Sequence, residues 1–288
     1  MLKTIKMLRN REILFCDINP ACYKISMGKE IFLRHLKDLF SRQKFAKIIK
    51  KEKLPFIISN HSSNIIKRSQ GVDLKSQENK KVNIILSCEK INGIIIRPGE
   101  IFSFWKTIGK ASKKRGFKSG RILRNNKLTT GIGGGLCNLA NTIHLLVLHS
   151  PLQVNEFHGH SDALAPDEGK RVPFSAGTSV FYNYIDYRFK NNTNHDFQLL
   201  AWCENDMLHA ELRSTEENIY SYKLIEENHH FRKEKDKYYR ISKIYKETSD
   251  ILTGDIIERE LILDNHSEVM FDYELIPKEL IKQYNTKH

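Results

Sequence analysis

The feature that most constrains this chain is a glycine run leading directly into an apolar segment. Gly131-Ile132-Gly133-Gly134-Gly135 precedes Leu136-Cys137, and from there to His149 apolar residues recur at helical spacing: Leu136, Leu139, Ala140, Ile143, Leu146 and Val147. Consecutive glycines permit positive φ and close backbone approach. The pattern predicts a tight turn that delivers Cys137 to the first turn of a helix, closed by Ser150-Pro151. Unpaired backbone N–H groups and the helix dipole at that position favour a thiolate. The N–H groups of Gly133, Gly134, Gly135 and Asn138 are candidates to stabilise an oxyanion on an attacked carbonyl. On this reading Cys137 is the thiol most readily alkylated.

A thiolate nucleophile ordinarily has an imidazole partner. His158 and His160 follow in Glu156-Phe157-His158-Gly159-His160, and on a strand the two histidines share one face. One is expected to act as base, and Asp162 or Asp186 to fix its tautomer. The same residues admit two other readings. Cys137, His158, His160 and Asp162 have the makings of a zinc site, and each is also compatible with a purely structural role. No metal and no cofactor is expected. His144 and His149 lie on the predicted helix, the first as a packed residue and the second as a C-terminal cap. His229-His230, beside Arg232 and Lys233, reads as a solvated turn, and Trp105 and Trp202 as core or cleft-wall aromatics.

The remaining pattern predicts an α+β fold. A helix is expected over 29–52, with Phe32, Leu36, Leu39 and Phe40 on one face, and a second over 76–91. Short strands follow at 94–97 and 101–105, then hairpin arms at 121–124 and 127–130. Strands are also expected at 154–157, 180–190, 197–202 and 208–213, with Asn191-Asn192 as a turn. Segments 220–226, 238–245 and 256–264 are rich in β-branched and aromatic residues, which predicts an appended antiparallel sheet. The expected organisation is a basic helical region at 1–75, a core domain at 76–215 and a β-rich extension at 216–288. The core is a mixed helix and antiparallel-sheet unit in which the glycine turn opens the Cys137 helix.

Composition narrows the function classes. At 288 residues, with 40% hydrophobic and 28% charged, the chain buries a core. Five cysteines at 16, 22, 88, 137 and 203, without a CxxC, argue against a disulfide framework. No run of about 18 apolar residues is present to span a bilayer. The basic start (Lys3, Lys6, Arg9, Arg11) is followed only by Ile13-Leu14-Phe15, too short for a secretory apolar region, so a cytoplasmic location is expected. The net charge is +13, and residues 1–60 hold 14 Lys/Arg against 5 Asp/Glu, a surface that favours anionic partners.

Four segments together resemble the VanW family: Ile96-Arg97-Pro98-Gly99-Glu100-Ile101-Phe102-Ser103-Phe104-Trp105, Gly133-Gly134-Gly135-Leu136-Cys137-Asn138, Glu156 to His160, and Asp186-Tyr187-Arg188-Phe189-Lys190-Asn191-Asn192-Thr193. They match that family's PGE-x-FSF, GGG-x-C-Q, R-H-x-H and D-x-x-[FV]-R-N-x-T patterns in order, over about residues 80–215. Asn138 stands where the family has Gln, and Phe157 where it has Arg. The resemblance implies a role in cell-wall peptide metabolism or glycopeptide resistance, since some long members are implicated as L,D-transpeptidases with the motif cysteine as nucleophile. It implies Cys137 as the nucleophile; with the reading of the residues above, the candidate catalytic residues are Cys137, His158, His160 and Asp186, and Ser103 and Trp105 are candidate substrate-binding positions. The expected activity is acyl transfer on peptidoglycan peptides or their precursors. The alternatives are non-catalytic binding of a precursor or glycopeptide, and a metal-binding accessory role. Nucleic acid is not an expected partner, whereas a weak contact between the basic helical region and an anionic membrane is.

Overall fold

The computed structural model describes residues 14–66, 73–124, 127–159, 162–163 and 177–282. Helix α1 runs over Pro20–Phe40, α2 over Leu74–Ile91, α3 over Phe104–Ile108 and α4 over Leu136–Leu148. A five-stranded antiparallel sheet forms the floor of the core. Its order is β1 (Ile48–Ile49), β3 (Ile94–Ile96), β10 (Phe197–Glu204), β11 (Met207–Ser214) and β2 (Phe56–Asn64). A second sheet of three strands is ordered β4 (Ile101–Ser103), β9 (Arg188–Lys190), β7 (Gln153–Glu156), and β5 (Ser119–Arg124) pairs with β6 (Lys127–Ile132). Long antiparallel strands β12 (Tyr220–Glu234), β13 (Lys237–Asp250) and β14 (Ile256–Val269) form the C-terminal sheet, with β8 (Asp162–Ala163) parallel to β14. The chain is α+β, as its periodicities predict.

Alternation explains how the floor faces the core. Every second residue of β11 is buried, among them Leu208, Ala210 and Leu212, because successive strand side chains point to opposite faces. Against that face pack Ile84, Cys88 and Ile91 of α2 and Leu139, Ala140, Ile143 and Val147 of α4. The other side of α4 presents Leu145 and Leu148 to Ile244 and Leu263 of the C-terminal sheet. The Cys137 helix is therefore covered on two sides, which is why almost its whole length is apolar.

Several expectations need correcting. The helix expected at 29–52 begins and ends earlier. Asn19 caps α1 by accepting from the N–H groups of Ala21 and Cys22, with Pro20 as the first helical residue. Arg42 has φ +55° and breaks the helix. Beyond it Ala46 N–H donates to Ile101 O at 2.9 Å, and Ile48-Ile49 pair with Ile94-Ile95. Apolar residues that continue a helical pattern are thus drawn onto sheet edges. Strands β1 and β2, from the stretch expected to be helical, are woven into the core sheet. Of the strand expected at 180–190, only Arg188–Lys190 forms, because Phe181 and Ile185 bond to each other across a turn. His229 and His230 lie within β12 rather than on a solvated turn, and the His230 imidazole bonds Asn228 O at 2.6 Å.

The Pro98-Gly99-Glu100 turn is locked onto Asn191. Gly99 N–H donates to Asn191 O at 2.8 Å, and Asn191 N–H returns to Glu100 O at 3.0 Å. Asn191 Nδ2 donates to Ile96 O and His195 O, and its Oδ1 accepts from Thr193 N–H and hydroxyl. This buried amide meets its bonding capacity by tying its own 191–195 loop to the end of β3. Asn191→Ala strands these partners and is expected to cost about 2–4 kcal/mol. Exposed Asn192→Ala should stay within about 0.5 kcal/mol. Urea melts of the two variants check the contrast, and equal midpoints would refute it.

Candidate functional site

The glycine turn is built by conformation and by crowding. Gly133 and Gly135 have φ of +81° and +94°, which side-chain-bearing residues rarely adopt. Gly134 meets the second constraint, since a Cβ there would sit 2.2 Å from the carbonyl carbon of Gly120. Asn83, fully buried on α2, clamps this crossing. Its Nδ2 donates to Gly134 O at 2.9 Å and Lys118 O at 3.1 Å, while its Oδ1 accepts from Lys118 N–H at 2.8 Å. Gly135 is the N-cap of α4, so Cys137 lies in the first helical turn as expected.

The thiol itself differs from expectation. Cys137 Sγ lies 4.0 Å from the Val180 carbonyl oxygen and packs against the main apolar core. Burial pushes its pKa up, and the hydrogen bonds only partly oppose this. The thiol is therefore protonated at rest, because desolvation of the thiolate outweighs the helix terminus. Cys203 is the acidified thiol instead, lowered by a hydrogen bond from Cys88 and by the charge of Lys81. Beside Cys137, the Asn138 side-chain Oδ1 is buried with no hydrogen-bond partner among the described residues.

His158 reaches this neighbourhood along the chain that covers the thiol. Gly159 pairs with Thr178, Ser179 N–H donates to His158 O at 2.7 Å, and Val180 is the next residue. Segment 178–180 thus lies between the His158 strand and Cys137, and no hydrogen bond joins Cys137 to His158 among the described residues. The imidazole of His158 is about two-fifths exposed, with Nε2 3.0 Å from Glu156 Oε1. Burial raises the Glu156 pKa, but hydrogen bonds from His158 and Arg34, with the Arg34 charge, outweigh it and hold the carboxylate at about 2. His160 lies outside the described residues, as does the Asp162 side chain.

Glu156, rather than Asp186, is the carboxylate that orients His158. Asp186 is fully buried and accepts from Ser103 Oγ at 2.5 Å, Trp105 N–H at 3.0 Å and Arg188 Nε at 2.7 Å. Arg188 also forms a two-pronged pair with Asp38 of α1, at 2.6 and 2.9 Å. Burial works against the Asp38 carboxylate, yet Arg188 and Lys106 hold it below its usual range. Arg34, one turn before Asp38, binds Glu156 through both nitrogens at 2.6 Å. Ser103 and Trp105 belong to this network, and the Trp105 indole donates to Ile185 O at 3.0 Å. His144 is a packed residue, buried, its pKa lowered to about 3 by desolvation and its Nδ1 3.1 Å from the Tyr187 hydroxyl. His149 caps α4 through Leu145 O at 2.8 Å.

Sequence reasoning missed Glu156, Arg34, Asp38 and Asn83. Glu156 was within reach, since it alternates with His158 along the strand and so shares its face. Among the described residues, no cluster of three His, Cys, Asp or Glu side chains is arranged to hold a metal ion. A cavity of about 240 Å³ opens between α4 and the C-terminal sheet, lined by His144, Leu148, Phe157, Lys246 and Leu261 among others, and Cys137 is outside its lining. No helix among the described residues is long and apolar enough to cross a membrane.

Residues 79–213 match the family described as VanW like protein. The chain is 26% identical over 227 residues to the vancomycin B-type resistance protein VanW of Enterococcus faecalis, covering 79% of this chain and 82% of that protein. It is 29% identical over 126 residues to the uncharacterized protein YoaR of Bacillus subtilis, covering 44% of this chain and 40% of that protein. No solved structure matches.

Two outcomes follow from the site's electrostatics. Near neutral pH, iodoacetamide should alkylate Cys203 before Cys137, and the reverse order by peptide mass mapping would refute the covered-thiol geometry. Glu156, with its pKa depressed to about 2, stabilises the fold above the ordinary carboxylate value, and that contribution is lost as pH falls from about 4.5 through 2. Glu156→Gln should therefore melt lower at neutral pH and show a flatter decline across that acid window. Parallel melting curves for the two proteins would contradict it.

Proposed function

We propose, from the match of residues 79–213 to the VanW family and the similarity to the VanW resistance protein, that the protein acts in vancomycin resistance through cysteine-dependent acyl transfer on peptidoglycan peptides or their precursors. The observation that carries this reading is the placement of Cys137. It stands in the first turn of α4 behind a clamped glycine turn, with the His158–Glu156 pair one short segment away. Of the N–H groups expected to hold an oxyanion, those of Gly133, Gly134 and Asn138 already donate to Lys118 O, Gly131 O and Gly135 O, so the donors on this reading are the first-turn N–H groups of Leu136 and Cys137, with an imidazole held by a carboxylate nearby.

The chemistry begins from a protonated thiol. Catalytic hydrogen bonds are often long in a resting enzyme and tighten in the substrate complex. A peptide entering beside segment 178–180 would take over the Val180 carbonyl contact, and the thiol proton would pass to His158. The sulfur then attacks the peptide carbonyl carbon, and the oxyanion is held at the turn. The departing amine takes its proton from His158 and leaves a thioester on Cys137. An acceptor amine or water completes transfer or hydrolysis.

One observation favours a second reading. A thiol covered by Val180 and raised by burial also fits a protein that binds a wall peptide or glycopeptide without reacting. Intact-protein mass spectrometry after incubation with a peptidoglycan stem peptide separates the two. An acyl adduct that is absent in Cys137→Ala and reduced in His158→Ala supports catalysis. Saturable binding without an adduct, unaltered in Cys137→Ala, supports the binding reading and removes the nucleophile.

A further inference from the structure

Helix α1 is mounted with its polar face inward. Arg34 and Asp38, four residues apart and so on one face, are spent on Glu156 and Arg188 in the buried network. Half-buried Met27 and Ile31 continue that face. The stripe on the other side is apolar: Ile25, Phe32, Leu36, Leu39 and Phe40 follow at helical spacing. Ile25 is 63% exposed, Phe32 61%, Leu39 74% and Phe40 75%. A helix packed on its own core turns such a stripe inward. This one cannot roll over to do so without breaking both ion pairs, which would leave charges buried and unpaired.

The charges beside the stripe indicate what covers it. Lys24 and Lys37 of the helix and Arg42 just beyond it are exposed at its sides, and exposed Lys29 falls on the stripe between Ile25 and Phe32, where its long stem can carry the ammonium outward. The one exposed acid on the helix, Glu30, lies 3.5 Å from Lys29. A second copy seated on the stripe would oppose these cations to their own kind. Residues 1–13 carry Lys3, Lys6, Arg9 and Arg11 against Glu12, the same sign again. An apolar stripe flanked by cations is complementary to an anionic bilayer surface.

We infer that α1 is a membrane-docking helix that lays Ile25, Phe32, Leu36, Leu39 and Phe40 into the interface of an anionic phospholipid bilayer, with Lys24, Lys29, Lys37 and Arg42 at the headgroups. The ion pairs of Arg34 and Asp38 fix the rest of the protein above that surface. Docking does not depend on the chemistry at Cys137.

The test is co-sedimentation of the full chain with vesicles of phosphatidylcholine alone, or of phosphatidylcholine with an equal amount of phosphatidylglycerol, at low and high salt. The mixed vesicles should bind the protein at low salt, and binding should fall at high salt. Phe32→Ser with Leu39→Ser, and separately Lys24→Gln with Lys29→Gln and Lys37→Gln, should each weaken binding about tenfold or more. Both sets replace exposed side chains, so unchanged melting temperatures certify the fold. Absence of binding to the mixed vesicles, equal binding to both kinds, or binding indifferent to Phe32 and Leu39 would overturn the inference. So would a dimer in light scattering that the Phe32 and Leu39 changes dissociate.

Discussion

Arg188 is the charge on which separate parts of the chain converge. Its guanidinium meets Asp186 two residues away, Asp38 on α1, and lies within 3.6 Å of Glu156 on β7. Removing one partner from a buried pair of this kind leaves an uncompensated charge, which typically costs about 3–5 kcal/mol. Buried Asp38, Asp186 and Arg188 and half-buried Glu156 and Arg34 can sit together only because each charge faces an opposite one and the remaining lone pairs meet N–H and O–H donors. The arrangement fixes where α1 attaches, how β7 and β9 align, and which way the His158 imidazole points.

That network changes the meaning of the sequence motifs. Ser103 and Trp105 from one segment, and Asp186 and Arg188 from another, bond to one another rather than facing an opening. Asn191 and Gly99 interlock the same two segments. The triple glycine is required by backbone geometry before any chemistry is considered, since two members have positive φ and the third touches Gly120. Cys137 gains its position from this framework. There the sulfur makes one long contact with a carbonyl and packs against apolar neighbours.

The helix terminus and the protein interior act on the Cys137 thiol in opposite directions. A helix N-terminus lowers a thiol pKa by favouring negative charge. Withdrawal from water raises it, and at half-buried Cys137 desolvation prevails. The site thus combines a protonated sulfur with an ionised Glu156 and a half-open His158.

The sequence by itself determined the elements whose neighbours are near in the chain. The glycine turn, the apolar Cys137 helix, the second helix, strands β3, β10 and β11 of the core sheet and the C-terminal sheet were legible, because periodicity and turn residues act locally. The end of α1 was not, because whether Phe45, Ile48 and Ile49 continue a helix or join a sheet edge depends on Ile94, Ile95 and Ile101 far along the chain. The carboxylate partner of His158 was half legible. The i, i+2 relation to Glu156 was there to be read but went unread in favour of Asp162 or Asp186, and only the fold showed that Asp186 is committed to Ser103, Trp105 and Arg188. The protonation state of Cys137 and the outward stripe of α1 were decided by tertiary structure alone. Burial and charge pairing are properties of a neighbourhood assembled from distant segments, and no local pattern specifies which face of a helix its ion pairs will claim.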